Sequence, residues 1–213
     1  MSEYREILND VAAYYGARIT EHGASHCGVD WSTAESQVLR FQQLARVFEG
    51  DRGFSLIDYG CGYGAMVRFL EQHNVECDYL GFDISPEMLL AAGEQHEQSE
   101  SGRVRARFLG REEELGEVDY VLASGVLNVR LRHSESEWEQ YVERTIDDLD
   151  RLSRKGYAFN ALSTYADPER MRENLFYADP KTLFDRCMRR HPRRVAVLHD
   201  YGLYEFTILV RKS

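Results

Sequence analysis

The sequence is poor in proline, in cysteine and in long apolar runs, and each shortage argues against a class of protein. Only four prolines and four cysteines occur among 213 residues, and no two cysteines are spaced as C-x-x-C. This spacing offers neither a zinc knuckle nor a redox dithiol, and four reduced thiols fit a cytoplasmic compartment. No stretch approaches the ~18 consecutive apolar residues of a transmembrane helix, and the N-terminus carries acids where a signal peptide carries basic residues. These shortages predict a cytoplasmic protein.

Positive charge is also scarce. The chain has 26 Lys and Arg against 36 Asp and Glu, a formal net charge of −10. Because such a surface repels polyanions at long range, we expect neither nucleic acid nor membrane as a partner. The length and the 43% of hydrophobic residues suit one core. We therefore expect a single domain over residues 1–213, in which an N-terminal helical cap, 1–53, covers a core formed by 54–213.

From residue 54 onward, short β-rich runs alternate with helical patterns. The predicted strands are Phe54–Tyr59, Tyr79–Asp83, Val104–Leu109, Val118–Ala123, Tyr157–Ala161, Val195–His199 and Glu205–Arg211. The alternation predicts an α/β fold in which helices cover both faces of a parallel sheet. No helical pattern separates the last two runs, so they are expected to pair as an antiparallel hairpin.

Capping patterns mark where the helices begin. Predicted N-caps are Ser85 before Pro86, Asp167 before Pro168, Asp179 before Pro180, and Ser134 in a capping box with Glu137. Residues 3–15 and 32–48 also have helical periodicity, and Gly23–Gly28 between them is predicted to be a loop. The polar run Glu94–Gly102 is predicted to be the most flexible segment.

The most informative stretch is Leu56-Ile-Asp-Tyr-Gly-Cys-Gly-Tyr-Gly-Ala-Met-Val, where a buried strand leads into a glycine-rich turn and a helix. Gly60, Gly62 and Gly64 allow positive φ and a close approach of the backbone to a ligand, and the helix N-terminus presents unpaired N–H groups. The next strand ends at Asp83, whose carboxylate can accept both hydroxyl hydrogens of an adenosine ribose.

Two ligand classes use such a layout. Gly60-x-Gly62-x-x-Ala65 also satisfies a relaxed dinucleotide fingerprint. However, Asp58 at the end of the strand suits a cationic amine and would repel a pyrophosphate. The Tyr177-x-x-x-Lys181 spacing of a short-chain dehydrogenase contains Pro180, which would break the helix that carries both side chains.

Asp58-x-Gly60-x-Gly62-x-Gly64, with Asp83 and the terminal hairpin, resembles the class I S-adenosylmethionine-dependent methyltransferases over roughly residues 36–213. The resemblance implies a Rossmann-like three-layer sandwich with seven strands in the order 3-2-1-4-5-7-6 and an antiparallel last strand. It implies S-adenosylmethionine as cofactor and methyl transfer to an oxygen, nitrogen or carbon of a small-molecule metabolite. The Asn-Pro-Pro-Tyr signature of nucleobase and glutamine methylation is absent.

The resemblance also implies roles for individual residues. It places the methionine portion of the cofactor on Asp58, Gly60, Cys61, Gly62, Tyr63 and Gly64, the ribose on Asp83, the adenine on Ile84, and the transferring methyl beside Ser124. The family often has an acid after the third strand. Here Gly110 and Arg111 follow it, which leaves the adenine edge to backbone atoms or to Glu112.

Other candidates rest on residue chemistry. Arg40 is predicted to pair with the carboxylate of the cofactor, because a guanidinium can donate two parallel hydrogen bonds. His133 and His199 follow predicted strands and are the candidate catalytic bases. Further lid candidates in the N-terminal segment are Tyr14, Tyr15, Arg18 and Trp31.

Several alternatives stay open at this point. An exposed aromatic N-terminal helix could support a homodimer. His22, His26 and Cys27 lack a further ligand pair, so a surface loop is preferred to a metal site. The same glycine loop would also serve a nicotinamide-dependent oxidoreductase, or a protein that binds the cofactor without catalysis.

Overall fold

Seven strands form one sheet in the computed structural model, which describes residues 3–97 and 102–212. The strands are β1 (Phe54–Tyr59), β2 (Cys77–Phe82), β3 (Val104–Leu109), β4 (Val118–Ala123), β5 (Ser153–Leu162), β6 (Val195–Leu198) and β7 (Glu205–Arg211). Their order is β3-β2-β1-β4-β5-β7-β6, and only β7 runs antiparallel to its neighbours. This arrangement confirms the predicted Rossmann-like sheet, including the antiparallel last strand.

Six α-helices accompany the sheet within the described residues. They are α1 (Glu3–His22), α2 (Ala34–Ala45), α3 (Ala65–Gln72), α4 (Pro86–Glu97), α5 (Glu135–Leu152) and α6 (Pro180–Arg190). The capping box of Ser134 and Glu137 is present at the start of α5, and the side chain of Asp179 caps α6. Residues 98–101 of the run predicted to be flexible lie outside the described part of the chain.

Two details differ from the expectation. First, α1 continues to His22, and the predicted loop after it contains a single 3-10 turn, His26–Val29. Second, Asp167-Pro168 begins only a 3-10 turn, Pro168–Arg170. The carboxylate of Asp167 accepts a hydrogen bond from the Tyr204 hydroxyl at 2.5 Å and caps no helical N–H, so the start of a longer helix lacks its stabilising contact.

The sheet is buried on both faces, as an almost continuously apolar strand requires. In β1, Leu56 and Ile57 are both 0% exposed, yet they belong to opposite apolar clusters. The cluster around Ile57 includes residues of α1, α5 and α6, whereas the cluster around Leu56 includes residues of α2 and α3. This two-sided core fixes the register of β1 and therefore the position of the loop that follows it.

The N-terminal helix α1 is part of the layer that contains α5. The connection from β3 to β4 contains a 3-10 turn, Glu112–Glu114, and no α-helix. Helix α1 packs on the sheet face that also carries α5. The ring of Tyr4 lies 6.0 Å from that of Tyr141, and the Arg144 guanidinium stacks 3.6 Å from the Tyr4 ring centroid. The Tyr4 ring of α1 therefore packs against α5 inside this chain, and the homodimer stays a prediction.

No described helix has both the length and the apolar character needed to cross a membrane. Because β1 to β5 are parallel, their carboxyl ends meet at one edge of the sheet. The glycine loop, Asp83 and Ser124 all follow strands at this edge.

Candidate functional site

The glycine loop after β1 is held against the end of β2. The N–H groups of Gly60 and Cys61 both donate to the Phe82 carbonyl, at 2.7 and 2.9 Å. Gly60, Gly62 and Gly64 have φ values of 78°, 54° and 78°, a region that favours glycine. A Cβ on Gly60 would also lie 2.5 Å from a methyl group of Val126. Both the backbone conformation and the packing therefore require glycine at position 60.

Two carboxylates flank this loop, that of Asp58 being buried and that of Asp83 half-buried. Asp58 is 3% exposed and accepts a hydrogen bond from the Tyr79 hydroxyl at 2.7 Å. Burial raises the pKa of Asp58 to about 7. Asp83 accepts hydrogen bonds from the backbone N–H groups of Gly62 and Ser85, at 2.8 and 2.9 Å, and burial raises its pKa as well. In the described part of the chain, neither carboxylate forms an ion pair with a basic side chain.

A cavity of about 260 Å³ opens over the loop and both carboxylates. The predicted cofactor residues that line it are Asp58, Gly60, Cys61, Gly62, Tyr63, Asp83, Ile84 and Ser124. Gly64 is the predicted loop residue that does not reach the cavity, because it packs under Ala92 and Phe108. The glycine loop after β1 and the residues that follow β2 and β4 therefore form a single surface.

Cys61 contributes to this surface as a packed thiol. Burial raises its pKa well above the ordinary value, and the nearby Asp83 and Asp58 carboxylates act in the same direction. The thiol is therefore protonated at neutral pH, and the position lacks the thiolate character that redox-active cysteines need.

A second wall of the cavity comes from the N-terminal segment. Helix α1 supplies Leu8, Val11, Ala12 and Tyr15, and the following loop and α2 supply Val29, Trp31, Gln37 and Phe41. Of the predicted lid residues, Tyr15 and Trp31 line the cavity. Tyr14 and Arg18 instead bind the carboxylate of Asp30, Arg18 at 2.7 Å, and so anchor the loop to α1.

Arg40 requires a correction. It is 6% exposed and does not line the cavity. Its Nε and Nη2 both donate to one carboxylate oxygen of Glu205, the Nε at 2.7 Å, and its Nη1 donates to the Ser36 carbonyl. The guanidinium is therefore already paired, with a partner 165 residues away in the chain that no local pattern could have indicated.

The two candidate histidines lie away from the cavity. His133 is 8% exposed, and its Nε2 lies 3.1 Å from Asp10 of α1. His199 is exposed and its ring contacts the rings of Tyr165 and Phe206. Neither histidine is among the residues that line the cavity, so the expectation of a histidine base beside the cofactor site is corrected.

Several residues that line the cavity were not predicted from the sequence to do so. Tyr141 of α5 belongs to the apolar core and also lines the cavity. Gln37 is 7% exposed, and its side-chain oxygen accepts a hydrogen bond from Tyr63 at 3.0 Å. A signal for Gln37 did exist, since it is a polar residue on the same helical face as Phe41 and Leu44.

Negative charge predominates in the lining, which contains Asp58, Asp83, Glu112 and Glu113. Among the described residues, Arg111 is the one basic side chain in the lining, and it is exposed and donates to Glu114 at 2.7 Å. Burial and the neighbouring Asp148 raise the pKa of Glu112. An unpaired buried carboxylate is costly unless a cation approaches it, so this cavity favours a cationic ligand.

Known proteins resemble this chain in sequence and in fold. A family model described as a methyltransferase domain matches residues 57–156. A Mycobacterium tuberculosis protein named "Putative methyltransferase Rv1506c" is 48% identical over 168 residues, 79% of this chain and 99% of that protein.

Two solved structures show the shared fold at low sequence identity. Magnesium protoporphyrin IX methyltransferase from Synechocystis PCC 6803, with bound SAM, has a TM-score of 0.67 at 15% identity over 100% of this chain and 98% of that chain. A SAM-dependent methyltransferase from Aquifex aeolicus has a TM-score of 0.58 at 16% identity over 84% and 93%.

Proposed function

This chain belongs to the methyltransferase family, and from that premise we propose that it transfers a methyl group from S-adenosylmethionine to a small-molecule acceptor in the cytoplasm. When bound, S-adenosylmethionine supplies an electrophilic methyl group on a sulfonium. Displacement of a methyl group from sulfur needs orientation and exclusion of water more than covalent help from the protein.

The observation that carries the proposal is the pair of carboxylates beside the glycine loop, buried Asp58 and half-buried Asp83. Asp58 and Asp83 lie in the same cavity without a basic partner among the described residues, so a ligand with a sulfonium and an ammonium group complements them. A nicotinamide cofactor would instead bring its pyrophosphate to this loop, where both carboxylates would repel it. The oxidoreductase alternative is therefore disfavoured.

The chain offers a group for each part of this cofactor. Asp83 is oriented by two backbone N–H groups, which leaves lone pairs for the ribose hydroxyls. Ile84 offers an apolar surface for the adenine. The Tyr63 hydroxyl occupies the amide oxygen of Gln37, which leaves the Gln37 NH₂ group as a donor for the amino-acid carboxylate in place of Arg40.

The acceptor is proposed to be small because the cavity measures about 260 Å³ and is lined by two separate parts of the chain. The loop and strand ends form one wall, and α1 with the segment around Trp31 forms the other. The net charge of −10 and the carboxylates in the lining do not suit a polyanion.

Calorimetry with S-adenosylhomocysteine tests the proposal. We expect Asp83→Asn to weaken binding at least tenfold, since hydrogen bonds to a charged group are typically worth about 1.5–3 kcal/mol. Asp78→Asn is the matched control, because Asp78 lies on β2, the strand that Asp83 follows, but is exposed and pairs with Arg105. Absence of binding to the unmodified protein, or equal affinities of the two variants, would contradict the proposal.

A further inference from the structure

Trp31 takes part in a set of contacts that cofactor binding does not require. The Arg40 guanidinium carbon lies 3.9 Å from the centroid of the Trp31 ring. The edge of the same indole approaches Gly125, where an added Cβ would lie 2.5 Å from the ring. Trp31 is therefore held between a cation and the backbone that follows β4.

The contacts beyond Arg40 return to Gly125 and close a ring. Glu205 accepts from Arg40 with one oxygen and from the Asn160 side-chain NH₂ with the other, at 2.6 Å. The Asn160 carbonyl oxygen accepts from the Gly125 N–H at 2.7 Å. Arg40, Asn160 and Glu205 are 6%, 0% and 1% exposed, so this polar ring is fully enclosed.

The ring fixes two neighbouring parts of one cavity wall. Trp31 and Gly125 both line the cavity, and the Oγ of Ser124, beside Gly125, is buried without a partner among the described residues. A buried polar network whose members are all satisfied holds a unique geometry more firmly than apolar packing alone. The indole is thus a rigid surface beside the end of β4, separate from Asp58 and Asp83.

The lining indicates which molecule this surface fits. Seven of the 27 lining residues are aromatic, about twice the 12% found in the whole chain. The same lining has four carboxyl groups and a single guanidinium, which is exposed and paired with Glu114. Flat unsaturated molecules stack on such a surface, whereas a carboxylate or phosphate on the acceptor would be repelled.

We propose that Trp31 is a specificity-determining residue for a neutral aromatic acceptor, and that Arg40, Glu205 and Asn160 are positioning residues that hold it. The proposal rests on the proposed methyltransferase function. The polar ring holds Trp31 against the Gly125 backbone, and the indole held there stacks on the acceptor. The carboxylates in the cavity lining repel anionic analogues of that acceptor.

Intrinsic fluorescence can test this directly, because the chain has only two tryptophans. Trp138 is 0% exposed and donates to the Leu127 carbonyl. In Trp31→Phe it is the remaining emitter, and it serves as an internal reference whose fluorescence should not respond to the probes. The probes are catechol and nitrobenzene, which do not emit where tryptophan does, each compared with its carboxylate, 3,4-dihydroxybenzoate or 4-nitrobenzoate, and added to protein saturated with S-adenosylhomocysteine. We expect saturable quenching by at least one neutral probe, no quenching in Trp31→Phe, and at least tenfold weaker binding of the matching carboxylate.

The positioning residues are tested with Arg40→Met combined with Glu205→Met. The double change removes the ring without leaving a buried charge unpaired. We expect binding of S-adenosylhomocysteine to stay within about threefold and the affinity of the neutral probe to fall at least tenfold. Arg46→Met is the matched control, since this exposed arginine bonds only to Gln43 through its side chain.

The outcomes separate the two proposals. Absence of S-adenosylhomocysteine binding contradicts the proposed function itself. If this ligand binds but neither neutral probe quenches Trp31, or the carboxylates bind as tightly, only the acceptor assignment is wrong. If the double variant binds the neutral probe like the Arg46→Met control, then Arg40 and Glu205 merely stabilise the fold.

Discussion

The two walls of the cavity are built in different ways. The loop wall, formed by the glycine loop, Asp58 and Asp83, comes from two neighbouring parallel strands and is held mainly by backbone hydrogen bonds. The N-terminal wall, formed by α1 and residues 29–41, is held by side chains whose partners lie far away in sequence, such as Arg40 and Glu205. Changes in the loop wall should therefore act on cofactor binding, and changes in the N-terminal wall on stability and acceptor selection.

The largest effect is expected in the loop wall, at Gly60. Gly60→Ala should weaken S-adenosylhomocysteine binding more than about 100-fold and destabilise the protein by roughly 2–4 kcal/mol, because it combines a φ of 78° with a Cβ 2.5 Å from Val126. Calorimetry and urea unfolding measure the two quantities.

Gly50→Ala is the control for conformational strain alone. Gly50 has a φ of 90°, but its added Cβ would meet nothing within 4 Å. It should cost about 1 kcal/mol and leave binding unchanged. Similar binding losses in both variants would show that the steric contact with Val126 does not matter.

The second effect tests the N-terminal wall through its buried ion pair. Arg40→Met leaves the 1% exposed Glu205 without its cation and should lower the free energy of unfolding by about 3–5 kcal/mol. Adding Glu205→Met should recover most of that loss. Arg105→Met, which breaks an ion pair whose side chains are more than half exposed, should cost about 0–1 kcal/mol. Equal losses in Arg40→Met and Arg105→Met would contradict the distinction between the walls.

This difference between the walls also explains what the sequence could predict. The order of the strands, the glycine loop and Asp83 follow from periodicity and local spacing, because each element is specified by adjacent residues. The role of Arg40 does not, because its partner Glu205 reaches it only when the β5 and β7 pairing is complete. The position of His133 could not be predicted for a similar reason, since its Nε2 lies 3.1 Å from Asp10 of α1, more than 120 residues away in the chain.

The third effect is a pH dependence in the loop wall. Burial raises the pKa of Asp58 to about 7, so the free protein retains a proton there that a cationic ligand must displace. Affinity for S-adenosylmethionine should rise severalfold between pH 6 and 7.5, with release of a proton that calorimetry detects as a heat dependent on the buffer. Asp58→Asn should abolish both the proton release and the pH dependence.

The raised pKa of Asp58 also makes the free energy of unfolding depend on pH. The unfolded state loses this proton near pH 4, whereas the folded state keeps it up to about pH 7. The contribution of Asp58 to stability should therefore fall as pH rises from about 4 to 7 and stay constant above. A contribution that instead rose over this window, judged as the difference between the unmodified protein and Asp58→Asn, would contradict the raised pKa.

The smallest effect tests where the two walls meet, because Tyr63 of the loop donates to Gln37 of α2 at 3.0 Å. Tyr63→Phe frees the Gln37 amide to rotate and should weaken S-adenosylhomocysteine binding about three- to tenfold, the value of one hydrogen bond. Tyr201→Phe removes a hydroxyl contact of equal length, to Thr207, outside the cavity lining and should leave binding unchanged. If Tyr63→Phe binds like Tyr201→Phe, the Gln37 amide does not contact the cofactor, and the N-terminal wall acts on the acceptor alone.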